Sequence, residues 1–394
     1  MKHRRQVAFF GSSLVSSYWN GAATYYRGLI RALSVLGYRT TFYEPDAFER
    51  QRHRDIANPT WANVVVYPAT EAGVSEALES ARQANIVIKA SGVGVFDGWL
   101  EREILNLQAS NRTVIFWDVD APATLERVQQ NPDDPFRLLI PRYDIILTYG
   151  GGPPVVEAYR ALGARDCVPV YNALDPAIHY PAPPEPRFAA TLGFLGNRLP
   201  DREARVHEFF FKPAAHLPEA GFLLGGNGWE CNVPERSNLR YLGHVYAQDH
   251  NAFNCSSRMV LNINRSSMAR FGYSPATRIF EAAGAGTCIV TDAWEGIGQF
   301  LEPDREILVA ETGDDVVRHL QTVSEKRARA IGAAAMRRVI AEHTYAHRAA
   351  QVHRILNGLT GDDIPSNTPS LRSNTEEPSR LERCNTSLKP PIGA

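Results

Sequence analysis

Residues 175–186 carry five prolines in twelve positions, Asp175-Pro176-Ala177-Ile178-His179-Tyr180-Pro181-Ala182-Pro183-Pro184-Glu185-Pro186. Proline has no backbone N–H and a fixed φ, so this stretch enters neither a helix nor a central strand. It divides the chain into two series, and each alternates short apolar runs with helical patterns. That alternation is the signature of parallel α/β sheets. The strand-length runs before it are Val7–Phe10, Thr40–Tyr43, Val64–Tyr67, Ile86–Lys89, Thr113–Phe116, Ile145–Leu147 and Val168–Tyr171. Helical patterns lie between several of them, at Thr24–Leu36, Trp99–Leu107 and Val155–Leu162. The runs after it are Thr191–Leu195, Phe222–Leu224, Val260–Ile263, Cys288–Thr291 and Ile307–Val309. Helices are expected there near Arg202–Ala215, Gln248–Cys255, Thr277–Ala283, Val316–Thr322, Ala328–Glu342 and Tyr345–Leu356.

The fold class that follows is α/β, in two domains facing across a cleft. Residues 1–175 form the first domain, 176–187 the linker and 188–357 the second domain. Residues 358–394 turn polar and are expected to be a disordered tail. Open parallel sheets bind ligands beyond the carboxyl ends of their strands, so residues just after strands carry the most functional weight.

Composition narrows the partners. The formal net charge of -1 gives no reason to expect nucleic acid or an acidic surface. Five scattered cysteines without a CxxC pair argue against a disulfide framework or a zinc site and fit the cytosol. The apolar run at the N-terminus is too short for a signal peptide, and no 18-residue apolar segment occurs, so a soluble cytoplasmic protein is expected.

Several loops after strands hold polar or glycine-rich sets. Asn20 and Gly21 open a helix in the first domain, where small residues let a ligand approach backbone N–H groups; a βα turn packed on its sheet is the alternative. Gly92, Gly94 and Gly98 resemble a dinucleotide fingerprint with one extra residue, which keeps an NAD(P)-dependent oxidoreductase as an alternative. Asp118 and Asp120 follow a strand and are the candidate catalytic carboxylates, one of them as a general base. Asp120 or Thr124 could instead cap the next helix. Gly150-Gly151-Gly152 permits close backbone approach or forms only a tight turn. In the second domain, Asn197, Arg198 and Arg202 stand at a helix start and suit a phosphate; a surface loop with exposed arginines is the alternative. Gly228 and Trp229 follow another strand, where the ring would pack on a base or cover a core edge. His244 is a lone histidine beyond them.

The segment Ser274–Thr291 combines these signals. Ser274 is expected to cap a helix with Pro275 in its first turn. Ser274, Arg278 and Glu281 fall on one face of an otherwise apolar or small-residue helix. Such a stripe suits an anion at the helix N-terminus and a polyhydroxylated group further along. An i,i+3 ion pair on a solvated face is the alternative for Arg278 and Glu281.

Together, Arg278-Ile279-Phe280-Glu281-Ala282-Ala283-Gly284-Ala285-Gly286 with Thr291, Val260–Asn262, Asn20–Leu29, Asp118–Leu125 and Tyr149–Pro153 resemble the spore maturation protein CgeB-like glycosyltransferases of the GT-B class. The resemblance covers most of residues 6–356. It implies two Rossmann-like domains, an acceptor on the first and a nucleoside diphosphate sugar as co-substrate on the second. It places Glu281 on the donor ribose and Arg278 with the Gly196–Arg202 loop near the diphosphate. It implies no further cofactor and no bound metal, because side chains and helix dipoles neutralise the diphosphate; Asp118-Val119-Asp120 is formally a DxD, which keeps a metal as the alternative. It also allows the final helix, 345–356, to cross back to the first domain. Many retaining members carry a second glutamate eight positions before the helix glutamate; here that position is Tyr273, so the motif does not assign stereochemistry. The acceptor is an unknown glycan, small molecule or protein. A non-catalytic nucleotide-sugar or glycan binding protein of the same fold is the second reading.

Overall fold

A computed structural model describes residues 5–18 and 20–360. The first sheet contains β1 (Gln6–Phe10), β2 (Arg39–Asp46), β3 (Ala62–Pro68), β4 (Ile86–Ala90), β5 (Thr113–Asp118), β6 (Ile145–Thr148) and β7 (Cys167–Pro169), in the order β3-β2-β1-β4-β5-β6-β7. The second contains β8 (Ala190–Leu195), β9 (Phe222–Gly225), β10 (Leu239–Tyr241), β11 (Ser257–Asn262), β12 (Cys288–Asp292) and β13 (Leu308–Ala310), in the order β10-β9-β8-β11-β12-β13. Every ladder is parallel. Each sheet therefore reverses its winding once, between β1 and β4 and between β8 and β11, and such a switch point opens a crevice beyond the strand ends.

Parallel strands buried on both faces read as continuous apolar runs, and alternate residues feed two different cores. Ala8, Phe10, Val87, Val114, Phe116 and Ile146 pack into one core of the first domain. Their neighbours Val7, Phe9, Ile88, Ile115, Trp117 and Leu147 pack into the other. The second domain repeats the scheme, with Met259 and Leu261 on one face and Val260 on the other.

The last helix, Tyr345–Thr360, belongs by packing to the first domain. Tyr345, Ala349, Val352 and Leu356 recur at helical spacing on one stripe, and that stripe completes the core behind the helix Ala23–Val35. Gly28 makes the close approach possible, because a Cβ there would lie 2.2 Å from the Tyr345 ring. The two segments that pass between domains are tied together: Leu174 N–H donates to the His343 carbonyl at 2.7 Å, and Tyr345 N–H donates to the Leu174 carbonyl at 3.1 Å. Arg348 closes the junction by donating to the Tyr171 and Asn172 carbonyls. The helix runs on to Thr360, past residue 358 where the disordered tail is expected to start; residues 361–394 lie outside the described residues. Among the described residues no helix is long and apolar enough to cross a membrane.

Candidate functional site

The carboxyl ends of the two sheets meet across the cleft. Gly151 N–H donates to the Tyr273 carbonyl at 2.9 Å, and Asn172 Nδ2 donates to the Pro275 carbonyl at 3.3 Å. Gly152 and Gly296 flank the Tyr273 ring so closely that a Cβ on either would collide with it. Tyr273 itself sits at φ 45°, a left-handed conformation that costs a non-glycine residue on the order of 1–3 kcal/mol. This turn redirects the chain into the helix Thr277–Gly284.

That turn corrects the expected cap. The helix begins at Thr277, its N-cap is Ala276, and no side chain caps it. The extended backbone before it holds Ser274 away from the first turn. Ser274 Oγ is instead buried without a partner and lies 3.1 Å from where a Cβ on Gly150 would stand. The helix thus presents its N-terminus without a capping side chain or an acidic residue in the first turn. Such an end is an anion site by dipole and by free N–H groups.

Arg278 and Glu281 do pair, Nη1 to Oε2 at 3.3 Å, but on an enclosed face, with 18% and 13% of their side chains exposed. The alternative of a solvated pair does not hold. Arg278 Nη1 is buried without a geometrically formed hydrogen bond. His179, from the linker, brings Nε2 within 3.8 Å of the Glu281 carboxylate. Burial alone would raise the Glu281 carboxyl, but Arg278, His179 and His250 together outweigh it and hold it below the usual range. It is an ionised acceptor poised for donors.

The loop after β8 supplies the second wall. Gly226, at φ 128°, lets the loops after β8 and β9 touch, since a Cβ there would lie 2.2 Å from the Gly196 carbonyl oxygen. Asn197 Oδ1 accepts from Asn227 N–H at 2.9 Å, and Arg198 pairs with Glu203 at 2.7 Å. Gly228, at φ 85°, packs its backbone on Arg198. The Arg202 guanidinium donates to the Asn197 carbonyl and lies over the Phe194 ring. Burial, and then the charge of Arg278, push it down to about 10. Arg265 adds to the same cationic field, while Asp201 and Asp292 oppose it. Among the described residues Arg202 forms no ion pair, and its Nε has no partner.

Trp229 lies elsewhere than on a ligand face. It is fully buried, packs edge-on to Phe211 at 5.8 Å, and donates from Nε1 to the Gly196 carbonyl at 2.8 Å. The core-edge alternative holds: the ring supports the loop and has no free face for a base. His244 is exposed at the end of β10, edge-on to Tyr246 at 4.6 Å and 3.3 Å from Asn227 Nδ2.

On the first domain the two aspartates part company. Asp118 is fully enclosed and saturated: Ser91 Oγ at 2.7 Å, Thr124 Oγ1 at 3.0 Å, Asp120 N–H at 3.0 Å and Tyr159 OH at 2.5 Å all donate to it. With no surface open to a substrate, it organises the loop. Asp120 is the carboxylate at the cleft, and Arg265 of the second domain stands 3.5 Å away. Burial raises the Asp120 carboxyl and so does the charge of Asp118, while Arg265 pulls it down. Asn20 is consumed as a staple, donating to the Ser13 and Ser16 carbonyls and accepting from Ser12 Oγ. Gly21 faces open space.

The glycine loop 92–98 is closed by its own side chain. Asp97 accepts from Val93 N–H at 3.1 Å, Gly94 N–H at 2.7 Å and buried Lys89 Nζ at 2.6 Å. Two backbone N–H groups of this loop are thus already taken by Asp97, which counts against the dinucleotide reading. Among the described residues no three His, Cys, Asp or Glu side chains gather as a metal site.

Sequence reasoning missed Arg265, Asn172 and His179. Arg265 stands three residues past β11, where the same rule that singled out Asp118 and Asn197 also applies. His179 was hidden in a stretch read only as linker.

Comparison with known proteins bears on the fold. Residues 202–354 match the family model described as glycosyl transferase-like. No curated protein sequence matches the chain. Among solved structures, sucrose-phosphate synthase from Thermosynechococcus elongatus is similar at TM-score 0.65 and 14% identity, over 91% of this chain and 100% of that one. Anabaena HepE, in complex with UDP and glucose, is similar at 0.61 and 13%, over 90% and 100%. An alpha-glucosyltransferase in complex with UDP and a DNA 13-mer is similar at 0.63 and 10%, over 90% and 99%. The chain has the GT-B fold of these glycosyltransferases, and its second half resembles a glycosyl transferase-like family.

Proposed function

We propose that the protein is a glycosyltransferase that moves a sugar, of hexose type, from a nucleoside diphosphate sugar to an acceptor held by the first domain. One observation carries the reading. Arg278 stands in the first turn of the uncapped helix Thr277–Gly284, and its charge acts on the buried Arg202 guanidinium, which forms no ion pair among the described residues. A diphosphate would neutralise both cations and satisfy the free N–H groups, and the same groups would stabilise the negative charge that develops on it as the glycosidic C–O bond breaks and it leaves. Glu281, kept ionised, accepts from the ribose hydroxyls. Asp120 is the carboxylate in position to take the acceptor proton. These cations do the work that a divalent metal does elsewhere, so the reaction is assigned as metal-independent. Free, scattered cysteines favour the cytosol as its place. CgeB-like enzymes are the proposed subfamily, on the residues of the Arg278–Gly286 segment.

Calorimetric titration with UDP, GDP and TDP and their sugars tests the reading. Saturable binding of one diphosphate, with donor hydrolysis or transfer in the presence of acceptors, is expected. Failure of all three to bind refutes it, and binding without hydrolysis or transfer leaves the non-catalytic binder as the answer.

A further inference from the structure

Arg265 lies at the junction of both halves of the site. It follows β11, directly across the switch point from the Asn197–Arg202 loop that follows β8. Its Nε donates to Asp201 Oδ2 at 2.7 Å, within the second domain. Its Nη1 reaches Asp120 Oδ2 of the first domain at 3.5 Å, which is an ion pair but too long for a good hydrogen bond. The side chain is 41% exposed and its two partners 45% and 36%, so these are wet contacts of small individual strength. The segment that follows leans on the first domain: Phe271 packs partly buried against its core, and Arg270 reaches Glu126 at 3.8 Å in an exposed pair. A head held only by wet, exchangeable contacts is what a ligand-responsive arginine requires.

We propose that Arg265 is a third diphosphate-binding guanidinium, held in the free protein by Asp120 and Asp201 and drawn to the donor when it binds, so that donor arrival strips Asp120 of its counter-charge. The inference rests on the glycosyltransferase reading. The charges of Arg278 and Arg265 both repel that of the buried Arg202, with Asp201 and Asp292 opposing them. A diphosphate carries more charge than a single carboxylate and offers planar guanidinium groups several acceptor oxygens. It outcompetes the half-exposed carboxylates once it sits on the helix end. Asp120, freed at that moment, faces the acceptor side as an unpaired carboxylate. Donor binding and the appearance of a base thereby become one event, which protects the donor from attack before the site is complete.

The test uses full-length protein titrated with UDP and UMP by calorimetry (GDP and GMP, or TDP and TMP, if the uridine nucleotides do not bind). Arg265→Met should weaken diphosphate binding about 10- to 100-fold, the scale of a lost charge-assisted contact, and monophosphate binding much less. Asp120→Asn removes the competitor and should tighten diphosphate binding several-fold. In the double variant that tightening should vanish. Wild-type diphosphate affinity in Arg265→Met, equal losses for diphosphate and monophosphate, or unchanged or weakened binding in Asp120→Asn each overturn the role of Arg265 while leaving the enzyme reading intact. Absence of diphosphate binding to the wild type overturns the reading itself.

Discussion

Gly28→Ala isolates the contact that returns the last helix to the first domain. A Cβ at position 28 would lie 2.2, 2.3 and 2.7 Å from Cδ2, Cε2 and Cγ of Tyr345. Ordinary contact begins near 3.4 Å, so the ring has to retreat by about 1.2 Å. It has little room, being 3% exposed and edge-on to Tyr25 at 6.2 Å. Overpacking of this kind costs about 1–3 kcal/mol, against a gain of about 1 kcal/mol for replacing glycine inside a helix. The net expectation is a loss of up to about 2 kcal/mol. Gly98→Ala is the internal control: it is also helical, a Cβ there meets nothing within 4 Å, and the propensity gain of about 0.5–1 kcal/mol should appear alone. Urea denaturation read by tryptophan fluorescence and circular dichroism gives both values. Gly28→Ala in a Tyr345→Ala background should lose its cost, a coupling of about 1–3 kcal/mol. If Gly28→Ala gains stability over the wild type as Gly98→Ala does, the close helix contact is not as described and the argument fails.

Glu281→Ala should weaken binding of the recognised nucleoside diphosphate by about 10- to 100-fold, and unchanged calorimetric affinity would remove Glu281 from the ribose. Asp118→Asn should lower stability by roughly 1–3 kcal/mol, because an amide cannot accept all four donors now satisfied, whereas Asp120→Asn should fold normally and lose transfer rate; normal stability of Asp118→Asn would refute its organising role. Burial, and then Arg348, push His343 down to about 3, so the folded protein keeps it neutral while the unfolded chain takes up a proton near pH 6.5. Stability should therefore fall as pH drops from about 6.5 towards 3, by up to about 1.4 kcal/mol per unit from this group, and His343→Gln should flatten that slope. An unchanged slope in denaturation series at several pH values would show that His343 does not contribute.

Much of the fold was legible because parallel strands leave an unambiguous apolar signal. Six of the seven expected runs of the first half lie within strands, and the seventh, Val168–Tyr171, overlaps β7 only at Val168 and Pro169. In the second half β10 escaped notice: Leu239-Arg240-Tyr241 is three residues long and only one of them is buried, too little to make a pattern. The helix Glu71–Ala81 was readable in principle, since Thr70 accepts from Gly73 N–H as its cap and Val74, Ala77, Leu78 and Ala81 share a buried face. The helix Ser266–Phe271 was not, because Phe271 packs against the other domain and has no local periodicity to reveal it. The site followed the same division. Glu281, Arg278 and Arg202 stood out by residue type near helix starts. Ser274 was misplaced because the left-handed turn at Tyr273 is imposed by Gly152 and Gly296, far away in sequence. The difference between Asp118 and Asp120 depends on Ser91 and Tyr159, which no local pattern links to them.

The return of the helix Tyr345–Thr360 also governs how the protein is made. The first sheet is complete once Pro169 has been synthesised, yet one wall of its core arrives only with residues 345–356. At about 5–20 residues per second, the ribosome takes on the order of ten to forty seconds to cover that gap. Throughout it, the groove beside Gly28 stays open and its apolar lining is available to chaperones or to another nascent chain. The first domain to be translated is thus the last to be finished, and a release of the chain before residue 345 strands it without its closing wall.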